Sequence, residues 1–204
     1  MNQFTKDYYE NGKACHLSLY ENYRWLPELT IPMAESIAAA CHINRSDVIL
    51  DFGCAKGYLV KALRGLGYLA YGTDISEYAL GEADEVTKPY LGLSFDASEA
   101  KFDWAICKDV LEHITEDDLP VKLRGLRNAT ENIFIAVPLG NNGAYTIPEM
   151  ELDVTHQIRR PLWWWSSQLD DAGFKHITSS FAMRGIKENW TRKYPFGNGF
   201  LVAH

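Results

Sequence analysis

The feature that most constrains this chain is the stretch from Val48 to Leu66. Val48-Ile49-Leu50-Asp51 is a short apolar run with β-branched residues; glycines follow at Gly53 and Gly57, and Leu59, Val60, Leu63 and Leu66 recur at helical spacing. That order reads as strand, glycine turn, helix. Gly65 and Gly67 close the helix, and Tyr68 to Ile75 forms a second apolar run with Asp74 near its end. A βαβ unit is therefore complete by Ile75. Ser76 is placed to cap a helix carrying Ala79, Leu80 and Ala83, and Leu91 to Phe95 reads as a brief third strand. Phe102 to Cys107 and Asn132 to Val137 predict two more strands, separated by a helical stretch with Val110, Leu111, Ile114, Leu119, Leu123 and Leu126. After the loop from Gly140 to Gly143, Pro161 opens a helix through Ala172; His176 to Met183 and Phe200 to Ala203 read as a closing antiparallel pair.

Such alternation specifies an α/β fold with a doubly wound sheet, whose ligand crevice lies at the carboxyl ends of the strands where strand order reverses. The turn after Asp51 is where that crevice is expected. A length of 204 residues with 47% hydrophobic side chains suits one domain, 1–204, with one buried core. Within it, residues 1–45 are expected to form an N-terminal helical cover, with Tyr8, Tyr9, Tyr20, Tyr23 and Trp25 ahead of a helix around Met33 to Cys41, and 46–204 the core. A formal charge of -7 argues against a broad basic surface for nucleic acid. No apolar run approaches the ~20 residues needed to span a bilayer, and the N-terminus lacks a signal-peptide core, so a cytoplasmic protein without membrane insertion is expected. Cys15, Cys41, Cys54 and Cys107 lack Cys-x-x-Cys spacing and read as reduced thiols.

Gly53 and Gly57 let a ligand approach the backbone, and the helix that follows offers unpaired N–H groups to a carboxylate. Asp74, at the end of the second strand, can accept both hydroxyls of a ribose. These features imply an adenosyl cofactor, a property shared with nicotinamide and flavin enzymes. The wording of the turn departs from the Gly-x-Gly-x-x-Gly of dinucleotide folds, for it is Asp51-Phe52-Gly53-Cys54-Ala55-Lys56-Gly57. It resembles the first motif of the class I S-adenosylmethionine-dependent methyltransferases, with Ala55 in place of the middle glycine. Tyr71-Gly72-Thr73-Asp74-Ile75-Ser76 is similar to that family's second strand, Phe95-Asp96-Ala97 to its adenine contact, and Phe102 to Cys107 with Val110-Leu111-Glu112-His113-Ile114 to its fourth-strand signature. The resemblance covers roughly residues 46 to 138. It implies a Rossmann-like seven-stranded sheet, mostly parallel with an antiparallel last strand, and S-adenosyl-L-methionine as cofactor. It further implies that Gly53, Cys54 and Gly57 line the methionine part, Asp74 holds the ribose hydroxyls, and Asp96 and Ala97 contact the adenine, with Asp51, Ala55, Ile75 and Lys108 also in the cofactor site. Lys108 and Asp109 then form the rim between cofactor and acceptor.

An acceptor hydroxyl needs a base, and histidine has the intrinsic pKa for it. His156 in Asp153-Val154-Thr155-His156 is the favoured candidate, because Asp153 can orient its ring; His113 and Asp109 are the others, and Glu112 reads as structural. Arg159 and Arg160 could hold a phosphate or carboxylate on the acceptor. Trp163, Trp164 and Trp165 cannot all face one way on a helix, so one or two should enter the core, leaving a ring such as Trp164 to wall the acceptor pocket. The chain lacks the Pro-Pro-Tyr and Pro-Cys signatures of the nucleic-acid members of the resembled family. No clear carboxylate cluster with metal-ligand spacing is visible, so no metal is expected. The resulting expectation is O-methylation of a small polar acceptor, a sugar or phosphate-bearing metabolite, by a monomer or homodimer. A cofactor-binding module acting through a protein partner is the competing reading, motivated by Ala55.

Overall fold

The computed structural model describes residues 3–95 and 101–204. Its centre is a seven-stranded sheet of β1 (Val48–Phe52), β2 (Leu69–Thr73), β3 (Leu91–Gly92), β4 (Phe102–Lys108), β5 (Thr130–Pro138), β8 (Thr178–Ser180) and β9 (Asn198–Ala203). The strands lie in the order β3-β2-β1-β4-β5-β9-β8. β1 to β5 are parallel, and β9 runs antiparallel to both β5 and β8. A separate two-stranded hairpin, β6 (Gly140–Asn141) and β7 (Ala144–Tyr145), follows β5.

Alternate side chains of each strand enter opposite layers. Ile49, Trp104, Ile106 and Phe134 pack with Ile37, Val60 and Leu63, which come from α2 (Pro27–Ala40) and α3 (Tyr58–Gly65). Leu50, Ala105, Cys107, Ile133 and Ile135 pack on the other face with Leu123, Leu126, Trp165 and Leu169, from α5 (Leu119–Ala129) and α6 (Leu162–Asp171). Both faces are covered, which is why these strands read as nearly continuous apolar runs. Strand order reverses between β1 and β4, so the crevice opens at their carboxyl ends, at the turn after Asp51.

Several sequence expectations shift in detail. The third strand shrinks to two residues. The helical stretch after β4 divides into a tight turn at Leu111–His113 and α5, because Thr115 and Asp118 bond each other (2.8 Å) and Pro120 sits in the first turn of the new helix. The cover is narrower than residues 1–45: α2 belongs to the helical layer, while α1 (Lys6–Glu10) and the chain to Tyr23 lie against the crevice. Two short helices complete the chain, α4 (Glu77–Gly81) and α7 (Glu188–Lys193). Ser76 caps α4 as expected, accepting the Ala79 N–H at 3.1 Å, and its hydroxyl also donates to the Phe4 carbonyl at 2.6 Å. The three tryptophans divide by helical phase: Trp165 is fully buried, Trp164 is half-buried and Trp163 is 70% exposed.

Candidate active site

The turn is built by backbone bonds. Gly53 and Cys54 both donate to the Thr73 carbonyl (2.8 and 3.0 Å), tying the end of β1 to the end of β2. Gly53 has φ +80°, and a Cβ there would lie 2.3 Å from Val110, so only glycine lets the two segments approach. Ala55 also takes a left-handed conformation, φ +49°, at the position where the resembled family carries its middle glycine. An L-residue pays about 1–2 kcal/mol there, partly offset by the entropy glycine loses on folding. Ala55→Gly is therefore expected to raise unfolding free energy by roughly 0.5–1 kcal/mol. Denaturant titration checks this, and a destabilised variant would show that Ala55 is not strained.

Asp74 organises the next shell of contacts. One carboxylate oxygen accepts the Ala55 N–H (2.8 Å) and the other the Ser76 N–H (2.7 Å), so each keeps a lone pair for a ligand hydroxyl. Burial pushes its pKa up, against those two N–H groups. Beside it Thr73 lines the crevice with a buried hydroxyl that has no partner among the described residues. The crevice is a cavity of about 610 Å³, within the usual range for small-molecule sites. It crosses the carboxyl ends of β2, β1 and β4, where Asp74, Gly53 and Lys108 line it.

Aromatic residues roof this cavity. Phe4, Tyr8, Tyr9, Tyr20 and Tyr23 line it and pack edge-on or stacked, with Tyr8 and Tyr9 at ring separations of 5.1 Å. Lys56, in the turn and only 6% exposed, fastens the roof by bonding Glu10 at 2.5 Å and the Tyr23 carbonyl at 2.9 Å. Tyr8 donates to buried Asp153 at 2.8 Å, across 145 positions of sequence. Tyr8→Phe removes that donor from a buried carboxylate, an expected loss of roughly 2 kcal/mol. Thermal unfolding of the variant measures it, and an unchanged midpoint would show that the roof is held by packing alone.

At the β4 side stand Lys108, Asp109 and His113. Asp109, φ +53°, is held by its N–H to the Ala136 carbonyl (2.8 Å), and its carboxylate is bonded by Lys108 (2.5 Å) and by Lys187 from the start of α7. Burial alone would raise its pKa, but the two ammonium groups hold it well below the usual carboxylate range. Behind it Glu112 is 1% exposed, and burial together with the Asp109 charge pushes its carboxyl up to about 8. The His113 and His156 rings lie 4.7 Å apart. Burial, with His156 beside it, lowers His113 to about 4, and burial lowers His156.

Of the residues singled out in the sequence, Gly53, Ala55, Asp74, Ile75, Lys108, Asp109 and His113 line the one cavity. Asp51, Cys54 and Gly57 are buried and are not among the residues lining the cavity. Asp96 and Ala97 lie outside the described residues. His156, favoured as the base, stands behind His113, with Nδ1 on the Met150 carbonyl at 2.9 Å. Arg159, Arg160 and Trp164 are not among the residues lining the cavity. Arg159 is paired with Glu151 (2.9 Å), and Arg160 grips Glu116 with two bonds (2.8 and 2.7 Å) while lying over Trp164. Lys56, Thr73 and Lys187 were missed. Lys56 alone carried a signal, a lysine inside a glycine turn.

A doubly wound sheet with its glycine turn, acidic second strand and roofed cavity at the switch point defines a Rossmann-like enzyme fold of the methyltransferase type. The profile of a methyltransferase-domain family matches residues 28–190, and the chain belongs to that family. Over 104 residues it is 33% identical to a ubiquinone biosynthesis O-methyltransferase of Paraburkholderia phytofirmans, covering 46% of this chain and 44% of the relative. Over 97 residues it is 30% identical to the magnesium-protoporphyrin O-methyltransferase of Synechocystis, covering 43% and 42%. The matched stretches thus span under half of these curated relatives. Among solved structures, a SAM-dependent methyltransferase from Archaeoglobus fulgidus superposes with a TM-score of 0.67 at 16% identity, over 87% of this chain and 94% of that one. The Synechocystis magnesium-protoporphyrin IX methyltransferase with bound SAM gives 0.55 at 22% identity, over 85% and 78%. Both share this fold. No helix among the described residues is long and apolar enough to cross a membrane.

Proposed function

We propose that the chain is an S-adenosylmethionine-dependent O-methyltransferase whose acceptor is a hydroxyl of a small polar metabolite such as a sugar. The observation that carries this reading is the single cavity shared by Asp74, Gly53 and Thr73 with Lys108, Asp109 and His113. The first three fit the cofactor. Gly53 leaves a gap that a Cβ would close, Asp74 has lone pairs for the ribose hydroxyls, and the Thr73 hydroxyl lacks a partner among the described residues. Bound S-adenosylmethionine supplies a methyl group activated on sulfur, so the protein's work is to align the acceptor and exclude water. The aromatic roof excludes water. His113, rather than His156, meets the acceptor hydroxyl, and the cluster behind it with His156 and Glu112 receives the proton. A phosphate-bearing acceptor loses its motive, because the guanidinium groups of Arg159 and Arg160 are already spent on Glu151 and Glu116.

The test is incubation of the purified chain with methyl-labelled donor and a panel of hydroxylated, amino and carbon-nucleophile acceptors, with the labelled product located by NMR. Label on an acceptor oxygen is the expected result. Label only on nitrogen or carbon would overturn the O-methyl assignment, and donor binding without any transfer would leave a cofactor-binding module.

A further inference from the structure

Three lone-pair-bearing groups from two distant segments converge behind the acceptor end of the cavity. One ligand atom each from Glu112, His113 and His156 lies within 4.8 Å of the others. The hydrogen bonds around them set which nitrogen of each ring is left free to act as a ligand. His156 Nδ1 faces the Met150 carbonyl at 2.9 Å, an oxygen that can only accept, so Nδ1 carries the proton. His113 Nδ1 faces Thr155 Oγ1 at 2.7 Å, and the one proton of that hydroxyl is given to Asp153 at 2.6 Å, so His113 Nδ1 is the donor. Both rings are thereby set with Nε2 unprotonated. The third group, Glu112, is 1% exposed and its Oε2 has no hydrogen-bond partner among the described residues. A buried Glu112 oxygen without a partner, clustered with two imidazoles, is a donor set that a cation would complete, displacing the carboxyl proton as it binds.

We propose that Glu112, His113 and His156 form a binding site for a divalent transition-metal cation of the Mn²⁺ to Zn²⁺ series. Two imidazole nitrogens and one carboxylate are a donor set suited to these ions and poorly suited to Ca²⁺ or Mg²⁺. Each imidazole is anchored through Nδ1 by a fixed oxygen, the arrangement that orients metal-bound histidines. Three protein ligands leave a position open, and His113 lines the cavity, so that position faces the acceptor. In a closed tetrahedral shell the ligand atoms stand about 3.3 Å apart, so loading draws the three side chains together. The expectation of no metal rested on spacing along the chain, whereas His156 stands 43 positions from His113 and joins the site only through the fold.

Within the function proposed above, a loaded site would replace the free side chains as the means of activation, since ligand lone pairs held by a cation no longer accept a proton. An acceptor hydroxyl on the cation would be acidified, its O–H bond breaking with the electron pair left on oxygen and the proton released to solvent before the site closes. The site's role rests on that function, but the binding itself does not. The test uses the full chain stripped with a chelator, titrated calorimetrically with Zn²⁺ and Mn²⁺ and spectroscopically with Co²⁺, without donor or acceptor. Expected are one equivalent bound, visible Co²⁺ bands of a nitrogen-ligated centre, and a Kd raised at least ~100-fold in His156→Ala and in the near-isosteric Glu112→Gln. Thr155→Val, which leaves all three ligands in place, is expected to weaken binding about tenfold through loss of the His113 anchor. Absence of a bound equivalent in the native chain, or binding that Glu112→Gln leaves unchanged, would overturn the proposal. S-adenosylhomocysteine affinity, measured in parallel, separates this outcome from failure of the methyltransferase reading.

Discussion

Asp74→Ala is expected to weaken binding of S-adenosylhomocysteine by about two orders of magnitude, or roughly 3 kcal/mol, for two reasons that act together. Each carboxylate oxygen would lose a charge-assisted bond from a ribose hydroxyl, a contact worth about 1.5–3 kcal/mol when the acceptor is ionised. The same oxygens hold the Ala55 and Ser76 N–H groups, at 2.8 and 2.7 Å, so the turn and the start of α4 lose their common anchor. Asp74→Asn separates the two contributions, because an amide keeps one acceptor oxygen and supplies a donor where an N–H must be received. It should bind less tightly than the parent and more tightly than the alanine variant. Calorimetry on variants whose far-ultraviolet circular dichroism matches the parent provides the measurement. An affinity within fivefold of the parent for Asp74→Ala would remove Asp74 from the ribose site and with it the placement of the cofactor across β1 and β2.

The parts of this molecule legible in the sequence are those governed by neighbours along the chain. The strand-turn-helix from Val48 to Leu66, the Ser76 cap and the phase of the three tryptophans follow from local periodicity and capping chemistry, and the structure has all of them. The seven strands were also readable, although β3 is far shorter than its apolar run because only Leu91 and Gly92 reach a partner on β2. What escaped is long-range. The pairing of Tyr8 with Asp153, of Lys56 with Glu10 and of Lys187 with Asp109 joins segments that no window of the sequence contains together. The same cause explains the exchange of roles between the histidines. His156 beside Asp153 looked like an oriented base, yet Asp153 directs its carboxylate to Thr155 and Tyr8, and through Thr155 it orients His113 instead. Arg159 and Arg160 looked free because Glu116 is remote in sequence and Glu151 is brought back only by the tight turn at Pro148–Leu152.

Asp51 offers the largest expected change in stability. It is 4% exposed at the end of β1, and burial pushes its pKa up to about 7, with the Lys108 charge opposing. In the unfolded chain the same carboxyl titrates near 3.8, so between these values the native state holds a proton that the unfolded state has released. Stability therefore falls as pH rises through this window, by an amount on the order of 4 kcal/mol, and is lowest once Asp51 is ionised above about 7. Asp51→Asn has nearly the same shape and no titration. Its unfolding free energy relative to the parent should grow by roughly 3 kcal/mol between about pH 4.5 and about pH 8, with the variant the more stable protein at the higher pH. Denaturant unfolding of both proteins at the two pH values tests this, and a difference that does not vary with pH would show that Asp51 stays ionised in the fold. The charge that destabilises the free protein has a use on the proposed function, since S-adenosylmethionine carries a positive sulfonium and its product a neutral thioether. A cation near the turn favours the ionised Asp51, so the preference for donor over product should strengthen as pH rises through about 7 in the parent and stay flat in Asp51→Asn.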